Sequence, residues 1–428
     1  ETEKEHEDIL EQADETDAVF GELYSWYLRN PEYRSRVEKL VQSAFAGKPE
    51  DIISQSVAKA LYGEVSPYSA TRLERFAACA FAHFLQYGMK LTERVEYEFK
   101  PMDMGNVMHG ALESFAEEVR KRGMKWTELT EQERNEIADR CLDNIVADYG
   151  NTVLKSSARN EYMIERTRRI LRRTVWALQK QLEQGEFQPE GFEVTFGGGR
   201  IDRVDIMEDQ NKVYVKVIDY KTGNTSFDLV YLYHGLQLQL MIYLDGALRV
   251  EQKKYPDKEI IPAGVFYYNI KDPMIQEKID ADVEAVSAGL MKELKMNGLV
   301  QADPELVYRM DSSLGSIPVA FNKDGSFRKN SSVADRTQFE VLGRYVRTKI
   351  EKIRNSILEG DAEVSPYELG KKNACTYCPY MTVCGFDRRL SGYEFRRLKN
   401  FSDEELWRSE EHTLNSSHEI PSRMPSSA

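Results

Sequence analysis

Two β-rich stretches separated by a short polar turn constrain this chain more than any other feature. Residues 192–206 and 212–220 are dense in β-branched and aromatic side chains, and MEDQN between them reads as a hairpin turn. Side chains alternate faces along a strand, so in KVIDYKTG the pair Asp219 and Lys221 points one way while Ile218 and Tyr220 point into a core. A hairpin then carries Asp202, from GRIDRVD, beside Asp219. GGGR ahead of Ile201 lies within the strands and lacks the helix N-terminus that would hold a phosphate, so it reads as a bend or bulge.

The pattern around this hairpin is helical. Residues 66–88 begin with turn residues and continue as an apolar helix carrying Cys79, and residues 106–120 form a helix with His109. A long helix spans about 164–183, another about 228–248, and AGVFYYNI reads as a buried strand. NKDGS at 322–326 marks a second hairpin turn, and a final helix places Leu342, Val346, Ile350, Ile353 and Ile357 on one face. Helices before, between and after a central mixed sheet define an α/β class. Residues 1–63 read as an acidic helical segment, in which Phe20, Leu23, Tyr24 and Tyr27 recur at helical spacing and are expected to pack, and Pro31 opens the next helix.

At 428 residues the chain can bury a large core. It contains no apolar run near the ~20 residues a membrane helix needs. The first residue is Glu1, so the chain is expected to start inside a longer protein. Five unevenly spaced cysteines favour a reducing, cytoplasmic setting over a disulfide scaffold. A net charge of −13 argues against polyanion binding over the whole surface but permits a local basic channel. Residues 408–428 lack any periodicity and resemble a translated sequencing adapter. A disordered native tail is the alternative, and in either case they stand outside the fold expected for 64–400.

The chemistry centres on Asp202, Asp219 and Lys221. Two adjacent carboxylates repel unless a cation lies between them, and hard oxygen ligands at an incomplete site suit Mg²⁺ or Mn²⁺. A lysine two residues on can position or deprotonate an attacking water and stabilise charge on a phosphorane-like transition state. A bare D-x-K is more often a surface salt bridge, and it gains meaning from its neighbours. His109 lies at the edge of a stripe formed by Met108, Leu112, Phe115 and Val119, where a helix can reach into a cleft; such a histidine by itself is more often structural. Gln239 and Tyr243 share a helix face one turn apart, able to orient phosphates or the lysine, or else simply polar surface residues.

In order, His109, Asp202, Asp219-x-Lys221 and Gln239-x-x-x-Tyr243 resemble the RecB-like branch of the PD-(D/E)XK nuclease superfamily, a restriction-endonuclease-like fold. That resemblance implies metal binding by His109, Asp202, Asp219 and the Tyr220 carbonyl, with Lys221 catalytic. It also implies hydrolysis to 5′-phosphate and 3′-hydroxyl ends.

Cys375-x2-Cys378-x5-Cys384 forms a compact triplet, with Cys79 as the natural fourth ligand for Zn²⁺ or an iron–sulfur cluster; spacing alone does not separate them. One cysteine before the nuclease motifs and three after resembles the iron–sulfur nuclease domain of the AddB family. Such domains work with an AddA-type helicase–nuclease on single-stranded DNA from broken duplex ends. The resemblance implies a [4Fe–4S] cluster on these four cysteines and extends over roughly residues 66–399. Cys141 reads as a core thiol. Arg166, Arg168, Arg169, Arg172 and Arg173 crowd one helix, either as a phosphate-binding surface or as a solvated face with glutamate partners at Glu161 and Glu165. The chain contains no G-x-x-x-x-G-K-[ST] loop, so it is not expected to hydrolyse ATP. A stand-alone iron–sulfur exonuclease resembling those of CRISPR adaptation is the nearest alternative. A non-catalytic DNA-binding scaffold is the third reading, and it would be expected to have lost Asp202, Asp219 or Lys221.

Overall fold

The hairpin forms as expected and lies inside a mixed sheet. A computed structural model of the protein describes residues 18–45, 52–63, 68–92, 101–148, 157–197, 199–275, 282–390 and 392–407. The tail at 408–428 and residues 1–17 therefore lie outside the described residues. The main sheet runs in sequence order through β1 (Gln188–Phe196), β2 (Gly199–Asp209), β3 (Lys212–Lys221), β4 (Glu259–Asn269), β5 (Asn297–Gln301) and β6 (Val333–Ala334). Neighbours are antiparallel from β1 to β3, parallel between β3 and β4, antiparallel between β4 and β5, and parallel between β5 and β6. Residues 192–206, read as one strand from the sequence, are thus split between β1 and β2, and the glycine run marks the turn between them.

Helices cover both faces. On one side α1 (Ala70–Ala78) supplies Leu73 and Phe76 to a core completed by sheet residues Val204, Val215, Val217, Val265 and Tyr267. On the other, α2 (Pro101–Lys121), α3 (Glu131–Asp148) and α4 (Ala158–Glu183) pack Met108, Phe115, Leu142 and Leu171 against Ile218, Tyr220, Phe266 and Tyr268. Cys141 belongs to this second core. Burial on both faces explains why β3 reads as a nearly continuous apolar run. It also fixes register, because a one-residue slip would drive Asp219 into the core and Ile218 into the cleft.

The helix expected at 228–248 is two helices, α5 (Leu229–Tyr233) and α6 (Gln239–Lys254). Gly235 separates them with φ +79°, a left-handed conformation that glycine adopts without a Cβ penalty. The break lets α6 start afresh and cross over the sheet between the parallel strands β3 and β4. Gly246 lets α6 approach β1, since a Cβ there would meet the Phe196 ring at 2.6 Å. The last long helix, α7 (Arg336–Glu359), starts at a reciprocal Asp335–Gln338 cap, ends at Gly360, and buries Leu342, Val346, Ile353 and Ile357 with α6 and α1.

After α7 a small sheet forms from β7 (Tyr367–Leu369), β8 (Lys372–Asn373) and β9 (Arg396–Arg397). At the N-terminal end, Pro31–Phe45 is helical, as its proline signals. The aromatic stripe read as a packing face behaves differently. Phe20 is 65% and Leu23 47% exposed, with Tyr24 and Tyr27 also exposed, so among the described residues this face meets no core.

Candidate active site

Asp202 and Asp219 come together because β2 and β3 pair with Arg203 opposite Ile218, which places the two carboxylates at adjoining strand ends on the same face. Both are buried. Asp202 Oδ2 accepts the backbone N–H of Tyr220 at 2.7 Å, fixing the carboxylate to the neighbouring strand. The Asp219 carboxyl is pushed up to about 7, first by burial and then by the charge on Asp202, with Lys221 working against both. Lys221 Nζ lies 2.6 Å from Asp219 Oδ2.

The lysine is held from the other side as well. Its ammonium donates to Gln239 Oε1 at 2.7 Å, and Gln239 Nε2 donates to the Tyr243 hydroxyl at 2.9 Å. Burial drives the Tyr243 phenol well above its usual range, and the hydrogen bond from Gln239 opposes this only in part, so at neutral pH it stays protonated. Of the three sequence readings for Gln239 and Tyr243, these hydrogen bonds fit orientation of the lysine.

His109 reaches Asp202 from the opposite helical layer. Its Nδ1 is 3.4 Å from Asp202 Oδ2 and 3.8 Å from Glu193 Oε1. Burial disfavours the imidazolium, but hydrogen bonds and charge from Asp202 and Glu193 outweigh it and raise the group to about 10. Among the described residues, His109, Glu193 and Asp202 each offer a ligand atom with all of these atoms within 4.8 Å of one another. One imidazole nitrogen and convergent carboxylate oxygens fit a hard divalent cation in an incomplete shell. Asp219 is outside that closest group, its carboxylate turned to Lys221. Tyr220 is brought in through its backbone N–H to Asp202.

Two residues in this neighbourhood escaped sequence reading. Glu193 sits on β1 at φ +50°, between Phe192 and Val194, and also faces the Arg200 guanidinium. A carboxylate between two apolar strand residues was the available signal. Partly buried Glu74, on α1, accepts the backbone N–H groups of Leu238 at 2.6 Å and Gln239 at 3.0 Å. Burial raises Glu74 to about 7, against those two hydrogen bonds.

The four cysteines at the chain's two ends meet. Cys79, at the end of α1, lines one pocket with Cys375, Cys378 and Cys384, beside Tyr380 and Phe386. The Cys375 thiol is pushed up to about 12 by burial and by its three sulfur neighbours. Four cysteines around one pocket offer the soft ligand type that Zn²⁺ or iron takes. No three of them bring their sulfurs within 4.8 Å of one another.

The arginine helix, α4, is largely answered by carboxylates. Arg168 pairs with Asp143 at 2.7 Å, Arg169 with Asp272 at 2.6 Å and Arg172 with Asp139 at 2.8 Å, while Arg173 lies over the Trp176 ring. Most partners come from α3 and the segment after β4. Of the glutamates named from sequence, Glu165 pairs with Arg168.

Residues 67–385 match the PD-(D/E)XK nuclease superfamily. Similar proteins include AddB of Lachnoclostridium phytofermentans, a subunit of the ATP-dependent helicase/deoxyribonuclease, which is 41% identical over 91% of this chain and 35% of that protein. The proteins of the same name from Thermoanaerobacter sp. (strain X514) and Clostridium acetobutylicum are 34% and 33% identical, each over 92% of this chain and 36% of their own length. The chain therefore spans about a third of the length of these curated relatives.

Proposed function

Since this chain belongs to the PD-(D/E)XK nuclease superfamily, we propose that it is the nuclease portion of an AddB-type subunit, hydrolysing phosphodiester bonds of single-stranded DNA. The observation that carries this is Lys221 held between Asp219 and Gln239 beside Asp202. His109, Asp202, Asp219 and the Tyr220 carbonyl, joined by Glu193, would hold Mg²⁺ or Mn²⁺. When bound, the cation polarises the scissile phosphate and lowers the pKa of a bound water.

The protein groups do the positioning. Lys221, fixed on two sides, aims its ammonium where the attacking water and developing phosphoryl charge meet. Tyr243 stays protonated and keeps the Gln239 amide oriented toward Lys221. An AddA-type helicase partner, exonucleolytic cleavage of unwound ends during recombinational repair, and a cytoplasmic setting belong to the same proposal. So do a [4Fe–4S] cluster on Cys79, Cys375, Cys378 and Cys384 and the division into a helical segment (1–63), the nuclease domain (64–400) and a tail (408–428). The reading of a cluster is supported by four cysteines, one closing α1 and three following α7, that line one pocket. Among the described residues no helix is long and apolar enough to cross a membrane.

The test is cleavage of end-labelled single-stranded DNA with Mg²⁺ by the full chain and by Asp219→Ala. Cleavage by the first and not the second is expected. A folded wild type that leaves DNA intact would refute the nuclease reading and favour a scaffold.

A further inference from the structure

Helix α6 carries Gln239 and Tyr243 on its first turns, yet its own sequence gives it no cap. Leu238 occupies the N-cap position in helical geometry and supplies no side-chain hydrogen bond. Orphan amides at a helix start need an acceptor, and the local Leu-Gln-Leu run before Gln239 contains none in place, because Gln237 turns back to the Asp228 N–H and the Ser226 carbonyl. The acceptor comes from 164 residues upstream: a single oxygen of Glu74 takes both the Leu238 and Gln239 N–H groups. When ionised, its carboxylate also faces the positive end of the α6 dipole.

The residue whose amide is held this way is the one that holds the lysine. A continuous path runs from Glu74 Oε1 to the Gln239 N–H, through the Gln239 side chain to Lys221 Nζ at 2.7 Å, and from there to Asp219 at 2.6 Å. Resting on the nuclease reading above, we propose that Glu74 is a positioning residue for Lys221: it caps α6 from across the domain and so sets where the Gln239 amide holds the ammonium. Glu74 reaches the reaction through Gln239. Loss of the acceptor frees the first turn of α6 to fray, Gln239 moves with it, and Lys221 keeps Asp219 as its remaining anchor. A shift of about 1 Å at a reacting group costs on the order of 100-fold in rate. The expected effect therefore falls on kcat and spares substrate affinity.

The experiment compares Glu74→Gln with Glu74→Met in the full chain. The two side chains have similar volume, but only glutamine keeps an acceptor oxygen. Single-stranded DNA cleavage with Mg²⁺ is measured for kcat and KM, melting temperature is recorded for each, and amide hydrogen exchange is followed at residues 238–243. Expected are a kcat within about threefold of wild type for Glu74→Gln and a loss of roughly 10- to 100-fold for Glu74→Met. KM should be unchanged in both, and exchange should be faster at 238–243 in the methionine variant. Combined with Gln239→Ala, Glu74→Met should add no further loss, because both break one path. Glu74→Met cleaving at the wild-type rate, a double variant whose losses multiply, or unchanged exchange at 238–243 would each overturn the assignment. Wild-type protein without cleavage would instead sink the nuclease reading, and exchange at 238–243 would still decide whether Glu74 anchors α6.

Discussion

Beneath the site, on the opposite face of β2 and β3, lies an ion network whose removal can be costed. Asp205 is fully buried and grips Arg203 in a bidentate pair at 2.5 and 2.9 Å, while Lys216 Nζ stands 3.0 Å from its second oxygen. Despite its burial, the charge of Arg203 and Lys216 holds the Asp205 carboxyl below the usual range. Asp205→Ala leaves Arg203, 2% exposed, without a counter-ion. Breaking a buried pair in this way costs about 3–5 kcal/mol. Two features keep the cost at the lower end of that range. Burial already depresses Lys216, so it can shed its proton rather than stay charged. The Arg203 guanidinium also lies 5.7 Å from the centre of the Trp126 ring and 5.6 Å from that of Phe192. A loss of about 3 kcal/mol lowers the melting temperature of a fold this large by roughly 4 °C. Cleavage per folded molecule below that transition should stay within about threefold, because Asp205 faces away from Asp202. Replacing all three by apolar residues, Arg203→Met with Asp205→Leu and Lys216→Met, should recover most of the loss, since buried ion pairs are often neutral against apolar isosteres. Differential scanning calorimetry decides the matter. An Asp205→Ala transition within about 1 °C of wild type (roughly 0.7 kcal/mol), or a triple variant no better than the single one, would refute the reasoning.

Acid should weaken the fold through His83. Burial and the nearby Arg72 charge hold it down to about 3, with its Nε2 accepting from Arg72 Nε at 3.1 Å. A depressed folded pKa gives stability that is complete above the unfolded value near 6.5 and is lost as pH falls, about 2 kcal/mol by pH 5. Urea midpoints at pH 7 and 5 should show that slope in wild type and a flatter one in His83→Gln. Glu193→Gln should weaken Mn²⁺ binding by roughly 10- to 100-fold by calorimetry, and an unchanged affinity would remove Glu193 from the ligand group. Gly246→Ala pushes a methyl into the Phe196 ring, which lies edge-on to Tyr243; a loss of about 1–3 kcal/mol with slower cleavage is expected, and an unshifted melting curve would show that the ring yields freely. Cys375→Ser should lower iron and sulfide content of anaerobically purified protein, and zinc in the wild type in place of iron would exclude the cluster.

Much of the site could be read from sequence because its core is local. Asp202, Asp219 and Lys221 lie on one hairpin, where alternation and turn position dictate which side chains meet, and Gln239 and Tyr243 are one helical turn apart. What the sequence hid depends on contacts between distant segments. Glu74 lies 164 residues from the amide it caps, within an apolar helix where a glutamate reads as surface. Glu193 is turned toward His109 by a positive φ that no residue preference announces. The arginines of α4 could bind phosphate or carboxylate equally well until α3 was seen to face them with Asp139 and Asp143.

The same distinction explains why a site built on so small a local motif needs so large a domain. Asp219 and Lys221 on an isolated hairpin would form a solvated salt bridge worth little. Enclosure between two helical layers keeps water from Asp219, where the charge of Lys221 at 2.6 Å attracts more strongly than it would in solvent. His109 comes from the layer containing α2, while Gln239 and Glu74 come from the layer containing α6 and α1, so each side of the hairpin is gripped by a different core. Cys79 closes α1 five residues after Glu74 and lines one pocket with the cysteines that follow α7, so the segment that caps α6 packs at its far end against the C-terminal part of the described fold. Length here serves orientation: long loops close at slowly growing entropic cost, while the angular tolerance of a phosphoryl-transfer site stays narrow.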